Sequence, residues 1–298
     1  MHWEKSVQDM RNDLHRLEEF DTVSPFSRTF YQLICDWIEE CGPISARLQE
    51  AYAKFLSIEV KRHQSVCDSG DKSRVPIIEW ISVRYRAEPA LRSLVQQLEA
   101  IPSDVTRQES LRQLVLAECY HEFGEDEKVI GALRAAIATG SDHPVVHFGL
   151  GYHLYMLSLK RHSRYDPVSN RYTIEYWCGF QRLCEQAIES FKTGFSDSPF
   201  DAQLHWWIGC VQESLGKMGE ARDAYGKAKE IDPSGLGVEA ESRLASMPQP
   251  ILDADSPEEA ERLSQLPPIS NEELAKVTRL LKKARNISDF MPGKSPQS

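Results

Sequence analysis

Residues 202–235 read AQLHWWIGCVQESLGKMGEARDAYGKAKEIDPSG, two helix-spaced apolar runs around Gly216 with Pro233 closing the second. Ala221, Tyr225, Ala228 and Pro233 each lie 34 residues after a counterpart, namely Ala187, Phe191, Gly194 and Pro199. Upstream, Leu116, Ala117 and Tyr120 precede Leu150, Gly151 and Leu154 by the same 34. Between the two sets the spacing is 58, as from Leu150 to Ile208 and from Gly151 to Gly209, so 58 − 34 leaves an insertion of 24 residues. A register that survives an insertion predicts three stacked units, starting near 110, 144 and 202.

These residues resemble the tetratricopeptide repeat, a 34-residue helix-turn-helix. Gly209 and Ala221 would be small where helix A meets helix B, Tyr225 would fill the space between units, and Pro233 would end helix B. His205 and Gln212 depart from the family pattern, as do Val129 and the missing proline of the first unit. The resemblance covers about residues 107–246 and implies an all-α helical-hairpin solenoid. Residues 236–246 would form the capping helix that the bare face of a last unit requires.

Around this array the sequence predicts an N-terminal helical region, 1–106, and a region 247–298 made of a linker, an amphipathic helix and a disordered tail. Helices are expected at about 2–20, with Val7, Met10, Leu14 and Leu17 on one stripe, and at about 24–41 and 43–64, broken at Gly42-Pro43. Residues 65–74 read as a polar loop. Val75 to Tyr85 is β-branched and aromatic enough to suit either strand or helix. Thr106 and Glu109 have capping-box spacing at a helix start. Whether residues 24–100 hold further degenerate units is open. At the other end, Ser256-Pro-Glu-Glu259 and Ser270-Asn-Glu-Glu273 are capping boxes. The second opens a helix with Leu274, Val277, Leu280, Leu281 and Ala284 on one face and Lys276, Arg279, Lys282, Lys283 and Arg285 around the rest. It would dock on this chain or on a partner.

Composition narrows the function classes. With 35 Lys and Arg against 45 Asp and Glu, the 298-residue chain carries −10, which argues against broad binding to nucleic acid or anionic membrane. Hydrophobic residues make up 41%, enough for a sizeable core. Seven cysteines without paired spacing suit a reducing compartment. The charged opening MHWEKSVQDM lacks a signal-peptide core and no run of about 18 apolar residues occurs, so the expectation is a soluble cytoplasmic protein with no membrane contact.

The tetratricopeptide resemblance implies that the first helix of each unit lines a groove for a protein partner. Carried over by position, the groove residues are Leu114, Glu118 and His121; Val145, Phe148, Tyr152 and Tyr155; and Gln203, Trp206, Cys210 and Glu213. Phe148, Tyr152, Tyr155 and Trp206 are the expected aromatic anchors, with Gln203 and Glu213 beside them. Alternatively, these rings pack against residues 1–100. The positions at which some relatives grip a carboxylate hold Val145, Gln203 and Trp207, none cationic, which disfavours that mode.

The insertion, Lys160 to Leu183, carries five cations against two acids and five aromatics, Tyr165, Tyr172, Tyr176, Trp177 and Phe180. It is expected to lengthen both flanking helices, with its tip around Asp166-Pro167. Arg161, Arg164, Tyr165, Arg171 and Tyr172 are candidate contacts for an acidic peptide or a single-stranded nucleic acid. The plainer reading makes Tyr176, Trp177 and Phe180 helix core and the cations its solvated face.

Enzyme signatures are missing: no phosphate loop, HExxH or GxSxG occurs. His143 and His147 straddle Pro144, which marks a helix start rather than a ligand pair, and Cys35/Cys41 and Cys178/Cys184 are too widely spaced for zinc knuckles. No metal or cofactor is expected. The sequence therefore points to a non-catalytic adaptor or regulatory subunit that captures a protein partner. The alternative is an RNA or single-strand binding accessory subunit, and a cryptic Cys/His enzyme is a third reading.

Overall fold

The computed structural model describes residues 2–20, 23, 25–42, 46–68, 77–101, 106–166, 171–194 and 201–247. Residues 1–247 form one compact unit. The linker, both C-terminal capping boxes and the basic amphipathic helix lie outside the described residues.

Among the described residues this unit is all-α apart from one small hairpin. Its helices are α1 (His2–Glu18), α2 (Pro25–Cys41), α3 (Ala46–Asp68), α4 (Ile77–Glu99), α5 (Thr106–Phe123), α6 (Asp126–Ala138), α7 (Pro144–His162), α8 (Trp177–Thr193), α9 (Asp201–Ser214), α10 (Met218–Ile231) and α11 (Leu236–Ser246). Consecutive pairs α5/α6, α7/α8 and α9/α10 pack as helical hairpins, with α11 laid on α10 and α9 at the end. This is the helical-hairpin solenoid implied by the 34-residue register.

Glycines set the close approach within two of these hairpins, α7/α8 and α9/α10. A Cβ placed on Gly209 would come within 2.6 Å of the Tyr225 ring, and one on Gly151 within 2.7 Å of the Phe191 ring. Both rings are fully buried. Glycine is thus required where helix A meets an aromatic of helix B. Gly216, at φ +74°, supplies the left-handed turn between α9 and α10. After α10, the Asp232 carboxylate accepts the Gly235 and Leu236 backbone N–H groups at 2.9 Å each, starting α11. Those two bonds hold its pKa below the ordinary value.

In the N-terminal region, Met10, Leu14 and Leu17 of α1 are buried as a stripe, and α1 packs mainly on α3. The ambiguous stretch after Val75 is helical from Ile77, and α4 runs through Pro89 to bury Leu91, Leu94 and Leu98. The polar segment after residue 64 continues α3 as far as Asp68, and 69–76 lie outside the described residues. Helix α2 packs on α1 and also reaches α5 and α7, inside the array.

The insertion departs from the expected pair of plain helix extensions. Helix α7 ends at His162, and Ser163–Asp166 (β1) pairs antiparallel with Arg171–Ile174 (β2), Arg164 opposite Thr173 and Tyr165 opposite Tyr172. Tyr165, Tyr172, Thr173 and Ile174 favour extended backbone. The tip, 167–170, is outside the described residues. Even so, α7 and α8 have 19 and 17 residues against 14 each for α9 and α10.

Candidate functional site

Three A helices and α2 enclose a half-open cavity of about 290 Å³. Helix α2 contributes Phe26, Ser27 and Phe30, α5 contributes Glu118 and His121, α7 contributes Phe148, Tyr152 and His153, and α9 contributes Gln203 and Trp207. Its existence follows from local sequence. Pro144 and the His143 side chain, whose Nδ1 accepts the Val145 N–H at 3.2 Å, start α7 at a point that directs Phe148 and Tyr152 inward. The Phe26 ring then covers Phe148, centroids 4.7 Å apart.

Placement of the expected groove residues changes the aromatic lining. Phe148 is buried between Phe26 and Phe191. Tyr155 is also buried, donating to or accepting from Ser214 Oγ at 2.7 Å. Tyr152 is half-buried and meets Trp207 edge-on, 5.1 Å between centroids. Trp206 does not join them: it packs at 5.1 Å on Tyr225, against the small second core of Ala221, Ala240 and Met247. One residue along a helix turns a side chain by about 100°, so of two adjacent tryptophans only one faces the cavity. Glu213 likewise faces α10 and α11, accepting the Tyr225 hydroxyl at 2.8 Å with Arg243 3.7 Å away. Gln203 lines the cavity, with its Oε1 buried and unpaired among the described residues. Residues 1–100 thus fill part of the groove, through α2.

Beside these rings lies a polar wall. His153 donates through Nδ1 to Asp126 Oδ1 at 2.8 Å, Lys160 binds the other Asp126 oxygen, and the His121 ring stands edge-on to His153 at 5.1 Å. Burial pushes the Asp126 carboxyl up, but the bonds from His153 and Lys160 outweigh it and hold the group below its ordinary value. Glu118 is only 7% exposed, and burial with the nearby Glu122 and Glu59 carboxylates raises its pKa well above the usual range. Deeper, Arg62 Nη1 bridges Glu59 and Glu122 at 2.6 Å each.

On the insertion, Arg161 is exposed but paired with Glu127 of α6, while Arg164 is exposed on β1. The side chains of Tyr165, Arg171 and Tyr172 are outside the described residues. Phe180 is core, but Tyr176 and Trp177 are 63% and 45% exposed, so the reading of all three as helix core holds only for Phe180. Among the described residues no cluster of His, Cys, Asp or Glu could hold a metal ion, and no helix is long and apolar enough to cross a membrane. Burial pushes the Cys35 thiol up to about 12 and the Cys184 and Cys210 thiols up to about 11, the reverse of nucleophile activation.

Trp207 and Phe26 are the lining residues that the repeat positions alone did not select as anchors. The signal for Trp207 lay in the same α9 register that places Gln203 on the cavity, since residues four apart share a face. Nothing in the local sequence announces that α2 enters the groove. No protein-family model matches the chain, and no curated protein matches it. Among solved structures, a crystal structure of MamA protein is similar over 73% of this chain and 97% of its own, at 14% identity and a TM-score of 0.36.

Proposed function

We propose that this chain is a non-catalytic adaptor or regulatory subunit that captures a protein partner on the A-helix side of its solenoid. The observation that carries this reading is the half-open cavity walled by Phe26, Tyr152 and Trp207, with Glu118, His121 and Gln203 around it. A pocket of this kind, mostly aromatic with a few polar groups, suits an anchoring side chain of a partner, because rings supply contact area at low entropic cost. At about 290 Å³ it lies at the lower edge of the roughly 300–1,000 Å³ typical of ligand pockets, a size suited to a single side chain. The exposed Tyr176 and Trp177 and Arg164 at the base of the hairpin offer a second contact area on the same partner.

The test is affinity capture with cross-linking from the native source, using the intact chain and a Tyr152→Ala, Trp207→Ala variant. A partner cross-linked to α5, α7 or α9 and lost from the folded variant supports the reading. Equal capture by both chains removes it. Retention of single-stranded RNA at low salt, lost steeply as salt rises, would favour the nucleic-acid alternative instead.

A further inference from the structure

The cavity is unusual in what it leaves unsatisfied. Glu118 points into it, nine-tenths buried, with no hydrogen bond or ion pair among the described residues. The guanidinium of Arg62 is engaged by Glu59 and Glu122 and is not bonded to Glu118. The charges that act on Glu118, those of Glu122 and Glu59, are both negative. Gln203 adds an amide oxygen that is buried and unpaired. A buried amide oxygen without a donor is costly, and next to a carboxyl group that makes no hydrogen bond among the described residues it has a donor-rich occupant as its simplest complement.

We infer that the cavity receives the side chain of an arginine from the partner protein, its guanidinium on the Glu118 carboxylate and its planar faces against the surrounding rings. This rests on the adaptor reading for the source of the arginine. Three features select that side chain. An anion would meet Glu118 and its carboxylate neighbours, and an apolar anchor would leave Glu118 and Gln203 unpaired. Among cations, guanidinium has five donors in a rigid planar fork that matches a carboxylate, whereas ammonium is a compact, strongly hydrated charge. The flat cation also stacks on aromatic faces, here Phe26, Tyr152 and Trp207.

The experiment titrates the full chain with N-acetyl-argininamide, N-acetyl-lysinamide and N-acetyl-citrullinamide, read by the indole N–H resonance of Trp207. That resonance is assigned by its loss in Trp207→Phe. Citrulline keeps the shape of arginine without its charge. Saturable binding of the arginine probe is expected, with the citrulline probe at least tenfold weaker, the lysine probe weaker than arginine, and Glu118→Gln binding arginine at least tenfold less tightly. Equal binding of arginine and citrulline probes overturns the inference, as does unchanged affinity in Glu118→Gln or a preference for lysine. Gln is the isostere of the protonated acid, and a thermal melt checks its fold. If the variant fails to fold, the three probes on the wild-type chain still decide. Absence of probe binding while Tyr152→Ala, Trp207→Ala abolishes partner capture overturns the arginine assignment alone. Probe binding with capture unaffected by that variant overturns the adaptor reading, and with it the partner as source.

Discussion

The ring of Phe26 lies 4.7 Å from that of Phe148, tilted by 37°, and this contact seats α2 inside the helical array. A helix that elsewhere would be one more layer of the stack becomes a wall of the cavity. Phe26→Ala should cost about 2 kcal/mol, less than the roughly 3–5 for a fully enclosed phenylalanine because Phe26 is only partly buried. A thermal melt should show a fall of about 4–8 °C. An unchanged melting temperature would mean that α2 is held by its other contacts.

Gly209→Ala should destabilise the chain by about 1–3 kcal/mol, since the new methyl would sit 2.6 Å from the Tyr225 ring inside a packed interface. Urea unfolding measures this. Adding Tyr225→Leu should recover part of the loss, and a strictly additive double variant would refute the steric account.

Acid should weaken the fold through His63. Burial, then the Arg62 charge, lower its pKa from 6.5 to about 4 against the opposing Glu122, with Glu59 3.9 Å away and the Phe20 ring stacked on it. The unfolded chain takes up this proton first, so stability is lost as pH falls from 6.5 to about 4. The loss from this group is about 2–3 kcal/mol. His63→Phe, which keeps a ring beside Phe20, should lose correspondingly less over that interval. Parallel curves for the two chains would exclude the assignment.

Glu118 has the opposite sign. Its carboxyl, raised by burial and by Glu122 and Glu59, favours the folded state only while protonated, so its contribution is complete below about pH 4.5 and lost as pH rises through the folded value. Glu118→Gln should therefore match the parent near pH 4 and be the more stable of the two at pH 8. Urea unfolding at both values checks this, and a variant less stable at pH 8 would point to a partner for the ionised carboxylate.

At the base of the hairpin, Tyr176→Ser with Trp177→Ser should keep the chain folded at a cost of about 1–2 kcal/mol, because Tyr176 is mostly exposed and Trp177 about half. Capture of the partner should weaken if the insertion is its second contact. Unchanged capture would confine recognition to the cavity.

Much of the architecture was legible because packing repeats. Gly151 against Phe191 and Gly209 against Tyr225 are the same contact in two units, and a contact that recurs leaves a period in the sequence. The site was less legible for two reasons. Trp206 and Trp207 are chemically alike and adjacent, so which faces the cavity is decided by helix phase rather than residue type. The wall supplied by Phe26 depends on α2 meeting α7 across more than a hundred residues of chain, a long-range contact with no local trace. The hairpin was hidden because its strands are four residues each, the shortest span over which alternation can be read.

Gly151 and Phe191 are 40 residues apart, Gly209 and Tyr225 only 16, yet the two contacts are alike. The 24 extra residues are absorbed by longer helices and the hairpin, beyond that shared contact. The junction between α7 and α8 is thus a port in the scaffold: a loop of different length or chemistry can be exchanged there while the helical pair beneath it keeps its grip.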